Sequence, residues 1–562
     1  MRTYAAMHRG VLAVAVIATF LIAPQGAAAQ TRTITATLPT DAINQVNTSN
    51  PSLYGGMNVN TYLGANRFYE VGITGQNTIV ANVEAGRIWN GHETLGHATS
   101  YVAGGGALGD YDRHATAVGM IIGGRNGGGT QGNWQKGMAY GTDLRSGAMA
   151  TAWTGTPYTT SFSLTYDSFY ASFVAYFGTA DVINSSWGTT DTGGASFITM
   201  SLDGMARANP RTTSVMAAGN SGPGANTVLG PASGFNGISV GALTNSNNTY
   251  NSLANFSSRS PQDYYDPVHG TVSGVRAAVD IVVPGDTLAS AYYGGATGGN
   301  TGGTANGGPN VYLTGIAGTS YAAPIVAGGV ALLDSASKVN GLSVNSLDAR
   351  VTKAVLMNSA DKVAGWTNGQ SEVNGVVTTT QSLDWGLGAG RMNLSAAYDQ
   401  YLSGTKDVAG LGGGSIASVG WDYGQLSGTG NHNDYLFNAS LVGDTVLDVT
   451  LDWFRNREND FENYDVFDNG FANLDLQIWD GSFQTLLATS ESIYNSSELL
   501  HFMLPYSGTY GLRVAYTDQV FGTAVPEIYG LAWSATAVPE PTVVVMLVGL
   551  AIGWLVRRRR RF

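Results

Sequence analysis

The spacing of the hydrophobic residues changes along the chain and divides it into two regions. Between residues 66 and 400, short apolar segments of strand type alternate with apolar segments of helix type. This pattern predicts an α/β fold built on a parallel sheet flanked by helices. In 447–453, 474–478 and 512–516, hydrophobic residues instead occupy every second position. Such segments, separated by turn residues, predict a C-terminal β-sandwich domain.

A serine stands where a Gly-rich loop meets an apolar helix. Ser320 follows Gly318 and Thr319, and Pro324 suits the first helical turn, where its missing N–H costs little. A helix N-terminus favours negative charge, so the Ser320 hydroxyl and N–H would lie where charge develops in an acyl transfer. A capping serine is the commoner reason for this arrangement. Partners elsewhere in the chain must therefore distinguish a nucleophile from a cap.

Such partners occur as four motifs in one order. The run 318–324 (GTSYAAP) is preceded by 112–119 (DRHATAVG), 181–188 (DVINSSWG) and 214–222 (SVMAAGNSG). Together they resemble the motifs of the subtilisin-like serine peptidases, or subtilases, in which acid, His, Asn and Ser follow one another along the chain. The resemblance implies the subtilisin-like parallel sheet between residues 66 and 400. The family usually has Gly after the histidine, and this chain has Ala115.

The resemblance also implies a role for particular residues. Ser320 is expected to attack the peptide carbonyl, and His114 to take and return the proton. The side chain of Asn220 and the Ser320 N–H are expected to form the oxyanion hole. Two segments are expected to bind the substrate as edge strands, and their residues are Ser186, Trp187, Gly188, Ala217, Ala218 and Gly219.

The acid departs from the family pattern. The apolar strand Thr78–Val83 ends at Glu84, where the family normally carries Asp. Glu84 is predicted to accept the Nδ1–H of His114, and an aspartate at this position is expected to retain activity. Asp110 and Asp112 are possible substitutes, whereas Glu93 lacks a strand-end position. If Glu84 is instead a surface carboxylate, the chain is a weakened or inactive peptidase.

Both termini have the pattern of targeting segments. Arg2 and Arg9 precede the apolar run Val11–Ala23, and the small residues Ala27–Ala29 follow it, which predicts a secretory signal peptide over 1–29. The segment 538–562 contains Pro539–Glu540–Pro541, a short apolar stretch and five arginines. It resembles the PEP-CTERM tail that an exosortase-type enzyme recognises in Gram-negative bacteria, and a simple anchor is the alternative. Transient membrane anchorage, and export to the cell envelope, outer surface or extracellular matrix, would follow.

Composition narrows the function classes. The chain has 562 residues with 77 Gly, no Cys and 12% charged residues, so disulfides and thiol chemistry are excluded. The net charge of −12 and the lack of a suitable basic segment argue against nucleic acid as a partner. The chemistry requires no cofactor. A structural calcium ion is possible at the acidic cluster, although a solvated loop fits its spacing better; the cluster comprises Asp460, Glu462, Asp465 and Asp468.

These observations predict an exported serine endopeptidase that acts on proteins or peptides through an acyl-enzyme. The alternative is a weak or inactive surface protein of the same fold that binds extracellular polysaccharide or protein. The predicted order is signal peptide 1–29, polar segment 30–65, peptidase domain 66–400, Gly-rich linker 401–415, β-sandwich 416–536 and sorting segment 538–562.

Overall fold

The structure is a computed structural model that describes residues 33–37, 45–47, 58–125, 136–154, 161–247, 249–300 and 308–537. The predicted signal peptide and sorting segment lie outside these residues. The helices are α1 (Val59–Tyr62), α2 (Asn66–Tyr69), α3 (Arg113–Gly123), α4 (Tyr166–Val174), α5 (Phe197–Ala208), α6 (Thr319–Asn340), α7 (Ala349–Asn358) and α8 (Leu394–Leu402), with 3₁₀ turns at Gly298–Asn300 and Val344–Leu347.

The strands fall into an N-terminal and a C-terminal series. The first series is β1 (Thr33–Thr37), β2 (Gln45–Asn47), β3 (Ile79–Glu84), β4 (Tyr101–Val102), β5 (Asp143–Ala148), β6 (Ala152–Thr154), β7 (Ser161–Thr165), β8 (Val182–Ser185), β9 (Thr213–Ala217), β10 (Ile238–Ser246), β11 (Thr249–Leu253), β12 (Gln262–Asp266), β13 (Gly270–Arg276), β14 (Ile281–Pro284), β15 (Leu288–Ala291) and β16 (Tyr312–Ile316). The second is β17 (Ser371–Val373), β18 (Val376–Thr379), β19 (Thr405–Lys406), β20 (Gly414–Ile416), β21 (Val419–Leu426), β22 (His432–Phe437), β23 (Thr445–Trp453), β24 (Asn456–Asp460), β25 (Asp465–Asp480), β26 (Leu486–Ser490), β27 (Ser497–Met503), β28 (Tyr510–Gly522) and β29 (Glu527–Ala537).

A central sheet holds the N-terminal part of the fold together. Its strand order is β11-β10-β9-β8-β3-β5-β4, and β14 also pairs with β10. The pairs are parallel except for β10 with β11. The residues of β3 from Val80 to Glu84 are all buried, as expected when helices cover both faces of a parallel sheet. The predicted α/β fold with a parallel sheet is therefore confirmed.

Helices α3 and α6 pack against each other on this sheet. Every residue of α3 is buried, and so are the residues of α6 from Thr319 to Ser337. Their many Ala and Gly residues allow the helix backbones to approach closely. Among the described residues, only α6 is long and apolar enough to cross a membrane, but 89% of its most apolar stretch is buried inside the protein. Helix α6 is therefore a core helix.

Two short N-terminal strands extend sheets that lie beside the central one. Strand β1 pairs antiparallel with β7, and β2 pairs antiparallel with β16. Ala36 of β1 is fully buried in the same hydrophobic cluster as Trp187. Because β16 ends at Ile316, β2 joins a strand that leads directly to Gly318 and Ser320. Parts of the polar segment 30–65 are thus integrated into the fold.

Two sheets form the C-terminal part of the molecule. One has eight strands in the order β17-β18-β26-β25-β28-β22-β20, with β24 paired to β25; the other has the order β19-β21-β29-β23-β27. Side chains from both sheets share one hydrophobic cluster. The predicted strand is confirmed as β23, where Leu447, Val449, Leu451 and Trp453 are all fully buried. Thr450 and Asp452 between them are fully buried too, because α7 packs against this strand.

The C-terminal sheets contact the N-terminal part through buried charges as well as apolar side chains. Lys353 of α7 lies 3.1 Å from Asp280 and 3.2 Å from Asp452 of β23. Arg457 of β24 lies 2.8 Å from Asp203 of α5. Strand β18, within the predicted peptidase segment, pairs with β26 and thereby belongs to the C-terminal eight-stranded sheet.

Candidate active site

Ser320 is the second residue of α6, the buried core helix. Gly318 precedes the helix with a φ of +156°, and a Cβ there would lie 3.2 Å from the Nδ2 atom of Asn220. The Ser320 hydroxyl donates a hydrogen bond to the carbonyl of Ser186 at 2.8 Å, and the side chain is fully buried. The serine therefore lies at a helix N-terminus, where partial positive charge favours a developing oxyanion.

His114 is held by the start of α3. Asp112 caps this helix, and its Oδ2 atom accepts hydrogen bonds from the N–H groups of His114 at 2.9 Å and Ala115 at 3.1 Å. The other carboxylate oxygen of Asp112 accepts the N–H of Gly299 at 2.8 Å. Both oxygens of Asp112 thus accept backbone N–H groups, and the residue is the N-cap of α3.

Glu84 contacts the histidine ring. Its Oε2 atom lies 3.2 Å from Nδ1 of His114, and its Oε1 atom accepts the N–H of Ser186 at 2.8 Å. Both side chains of the Glu84–His114 pair are fully buried. Burial raises the pKa of Glu84, while His114 and the Ser186 N–H act in the opposite direction. Of the acids considered from the sequence, the structure brings Glu84 to His114.

The other candidate acids have different partners. Asp110 accepts hydrogen bonds from the indole N–H of Trp153 at 3.2 Å and from the N–H of Gly298 at 3.4 Å. Glu93 accepts the hydroxyl of Tyr312. Each of these carboxylates is engaged by a loop or strand on the periphery of the site.

Asn220 is oriented by the residue before the serine. Its Oδ1 atom accepts both the N–H and the hydroxyl of Thr319, each at 2.9 Å. The Thr319 hydroxyl oxygen also accepts the N–H of Gly219 at 3.0 Å. These contacts fix the side-chain amide with its oxygen toward Thr319, so the Nδ2 donors face the opposite side. That orientation suits donation to an oxyanion beside the Ser320 N–H.

The predicted substrate-binding residues have the following surroundings. The backbone of Ser186 contacts Glu84 and Ser320. Ala218 donates its N–H to Val240 and accepts the N–H of Leu229. A Cβ at Gly188 or Gly219 would lie within 2.9 Å of Leu229, so glycine permits the close approach there.

The Trp187 indole lies in the hydrophobic core. It is 1% exposed and packs near Phe162 and Phe173. Its Nε1–H donates to the carbonyl of Val83 at 3.0 Å. The Trp187 side chain therefore packs against β3, the strand that carries Glu84.

The acidic cluster considered for calcium is used in local structure. Asp468 pairs with Arg455 and Arg457, and Asp460 accepts backbone N–H groups of Glu462 and Asn463. Within the described ranges, no group of three or more His, Asp or Glu side chains is arranged to hold a metal ion.

Two buried residues near the site were not singled out from the sequence. Asn82 and Asn184 lie beneath Glu84 and Ser186 and are hydrogen-bonded to each other. A signal for Asn82 was present, because a residue two positions before Glu84 on a strand lies on the same face. Polar residues within otherwise apolar strands mark such positions.

A serine at a helix N-terminus, a buried histidine–carboxylate pair and an oriented asparagine amide form the residue set of a serine hydrolase. The Peptidase_S8 model of the subtilase family matches residues 46–382. This match covers more than half of the chain and includes the four residues Glu84, His114, Asn220 and Ser320. The chain belongs to the subtilase family, and this membership indicates a serine-type peptidase.

Proposed function

We propose that the chain is an exported serine endopeptidase whose triad is Ser320, His114 and Glu84. The observation that carries this proposal is the Glu84 carboxylate, which bridges His114 Nδ1 and the N–H of Ser186. A carboxylate at Nδ1 sets the tautomer in which Nε2 carries the lone pair and can act as a base. The glutamate thus supports the role that aspartate usually has in the family.

The proposed reaction proceeds through an acyl-enzyme. The Ser320 hydroxyl turns from the Ser186 carbonyl toward His114, which takes its proton as Oγ attacks the peptide carbonyl. His114 then gives this proton to the leaving amine, and water releases the acyl group by the same steps in reverse. Nδ2 of Asn220 and the N–H of Ser320 donate to the oxyanion, and one such donor contributes roughly 3–4 kcal/mol.

We propose that an extended peptide binds by strand addition along segment 186–188, with segment 217–219 beside it; the backbone groups of Ala218 and Gly219 already have partners within the protein. The positions of these segments support this mode, because the carbonyl of Ser186 contacts the Ser320 hydroxyl and Gly219 directly precedes Asn220. Main-chain hydrogen bonds of this kind provide affinity with little dependence on sequence. Protein or peptide substrates are therefore the expected partners.

The test is covalent labelling with a fluorophosphonate, followed by peptide mapping. We expect the label on Ser320, and Ser320→Ala should lose both labelling and casein hydrolysis while it remains folded. Ser335→Ala is a matched control, because Ser335 is also a buried serine of α6 whose hydroxyl donates to a backbone carbonyl. Full activity in folded Ser320→Ala would contradict the proposal.

We further propose that the chain is exported and sorted through its termini. The sequence features 1–29 and 538–562 support cleavage of a signal peptide and recognition of the tail by an exosortase-type enzyme. Alanines in place of Pro539–Glu540–Pro541 should retain the protein in the inner membrane of its host. An intact arginine terminus on released wild-type protein, detected by mass spectrometry, would contradict sorting of this kind.

We also propose that the two C-terminal sheets form a β-sandwich, which takes in residues 416–536 together with β17–β20 from the predicted peptidase and linker segments. The hydrophobic cluster shared by the two C-terminal sheets supports this arrangement. Because Lys353 and Arg457 form buried ion pairs across the boundary with the N-terminal part, both parts should unfold in one calorimetric transition. Two well-separated transitions would contradict that coupling.

A further inference from the structure

A continuous set of buried hydrogen bonds lies under the proposed triad. Asn82 is on β3, two residues before Glu84, and is the register partner of Asn184 on β8. Nδ2 of Asn184 donates to Oδ1 of Asn82 at 3.0 Å. Nδ2 of Asn82 donates to the carbonyl of Ala115 at 3.2 Å, immediately after His114. The pair of amides therefore joins both strands to the first turn of α3.

The same hydrogen bonds continue to Ser186. Nδ2 of Asn184 also donates to Oγ of Ser186 at 2.9 Å. The backbone of Ser186 then contacts two triad members, because its N–H donates to Glu84 and its carbonyl accepts the Ser320 hydroxyl. The two asparagines thus support Ser186, on which both Glu84 and Ser320 depend.

Hydrophobic packing does not require these amides. Asn82, Asn184 and Ser186 are all fully buried, and buried polar groups stabilise a fold little even when they are hydrogen-bonded. An apolar pair of similar size would fill the same space between β3 and β8. The hydrogen bonds of the two amides instead fix the positions of Ser186 and of the first turn of α3 relative to β3.

Glutamate has a particular need for such support. Its side chain has one more rotatable bond than that of aspartate, so more rotamers compete with the one that reaches His114. Two acceptor contacts, to His114 and to Ser186, select that rotamer. The second contact holds only while the Ser186 backbone stays in place.

We propose that Asn82 and Asn184 are positioning residues that keep the Glu84 carboxylate on His114 through Ser186 and the Ala115 carbonyl. This inference rests on the proposed peptidase function. Neither amide touches the reacting atoms, so both act through residues that do. A loss of position near 1 Å at a reacting group lowers rates about 100-fold.

The test uses Asn82→Leu, Asn184→Leu and the double variant. Each single variant should lower kcat about 10- to 100-fold and leave KM unchanged, because the substrate contacts are not altered. The acid limb of the pH–rate profile should move to lower pH, since a displaced carboxylate stabilises the imidazolium less. The double variant removes both amides of the Asn184–Asn82 hydrogen bond but leaves the buried Ser186 hydroxyl without its amide partner. Its stability should therefore recover only in part, and its kcat should remain low.

Asn358→Leu is the matched control. Asn358 is a buried asparagine whose amide also has two side-chain partners, Ser534 and Thr450, but it lies on α7 against the C-terminal strands. It should lose stability and keep kcat. A folded double variant with wild-type kcat and an unmoved acid limb would overturn the proposal, because it would assign the asparagines to packing alone.

A second readout separates this proposal from the peptidase function. The low-field proton NMR signal of the His114 Nδ1–H reports its hydrogen bond to Glu84 without any turnover. If wild-type protein showed this signal but no fluorophosphonate labelling, the proposed function would fail and the positioning role would remain testable. The signal should shift or disappear in Asn82→Leu and persist in Asn358→Leu. An unchanged signal in Asn82→Leu would overturn the positioning role.

Discussion

The Glu84→Gln substitution tests the contact on which the proposed triad depends. Both oxygens of Glu84 accept hydrogen bonds, one within 3.2 Å of His114 Nδ1 and one at 2.8 Å from the Ser186 N–H. An amide of the same shape offers one acceptor and one donor. If the amide nitrogen faces His114, two donors oppose each other unless the ring takes the wrong tautomer. If it faces Ser186, it opposes the Ser186 N–H. In a Ser-His-Asp enzyme the corresponding change lowers kcat on the order of 10⁴-fold, and we expect a similar loss here.

Glu84→Asp gives a graded test of the same contact. Shortening the side chain by one C–C bond withdraws the carboxylate by about 1.5 Å. The 3.2 Å contact with His114 would then exceed hydrogen-bonding distance, and kcat should fall roughly 100-fold. The family pattern predicts instead that aspartate retains activity. We expect a loss because β3 places the glutamate carboxylate against both partners, and wild-type kcat in Glu84→Asp would favour the family pattern.

The assay is kcat with a fluorogenic peptide, measured well below the unfolding temperature of each variant. Loss of a buried acceptor costs about 1–3 kcal/mol of stability, so thermal unfolding must show that the variants are folded. Glu93→Gln is the control, because Glu93 is a carboxylate of the following loop that contacts Tyr312; it should keep kcat. The reasoning is refuted if folded Glu84→Gln retains kcat within tenfold of wild type.

Two further predictions concern stability. Lys353→Met should destabilise the protein by about 3–5 kcal/mol, because it leaves Asp280 and Asp452 buried without their cation. Burial already raises the pKa of Asp452 to about 7, so this carboxylate becomes neutral as the pH falls toward about 5. The loss of stability in Lys353→Met should shrink over that range, and urea unfolding without such a pH dependence would contradict the prediction. Burial lowers the pKa of His92 to about 4, so the unfolded chain takes up a proton at a higher pH than the folded protein does. The free energy of unfolding should therefore fall by roughly 3 kcal/mol as the pH is lowered from about 6.5 to about 4. His92→Gln should remove this contribution from urea unfolding curves measured over the same pH range, and an unchanged pH dependence would contradict the reasoning.

Much of the architecture follows from local patterns in the chain. The strand that ends at Glu84, the helix after Ser320 and the alternating strand 447–453 were predictable, because apolar period and helix-end residues reflect contacts within a few positions. These elements occur in the structure as β3, α6 and β23. Motif order then identified His114 and Asn220 as candidates.

Other features depend on pairings between distant segments. No local pattern predicts that β1 joins β7, or that β18 joins β26 rather than the central sheet. The roles of neighbouring acids are equally non-local: Asp112 caps α3 and Glu84 reaches His114, although both stand near the ends of predicted elements. Their spacing in the chain alone does not distinguish a cap from a triad acid.

The kind of fold, the order of the chemical groups and the serine at a helix N-terminus could be predicted from the chain, since they depend on periodicity and residue type. The contact between the Glu84 carboxylate and His114, and the connection of three elements by Asn82, Asn184 and Ser186, became visible only in the folded arrangement. The reason is physical: a hydrogen bond requires two groups within about 3 Å and in suitable directions. For residues a hundred positions apart, that condition is met by sheet register and helix packing rather than by any feature of the local sequence.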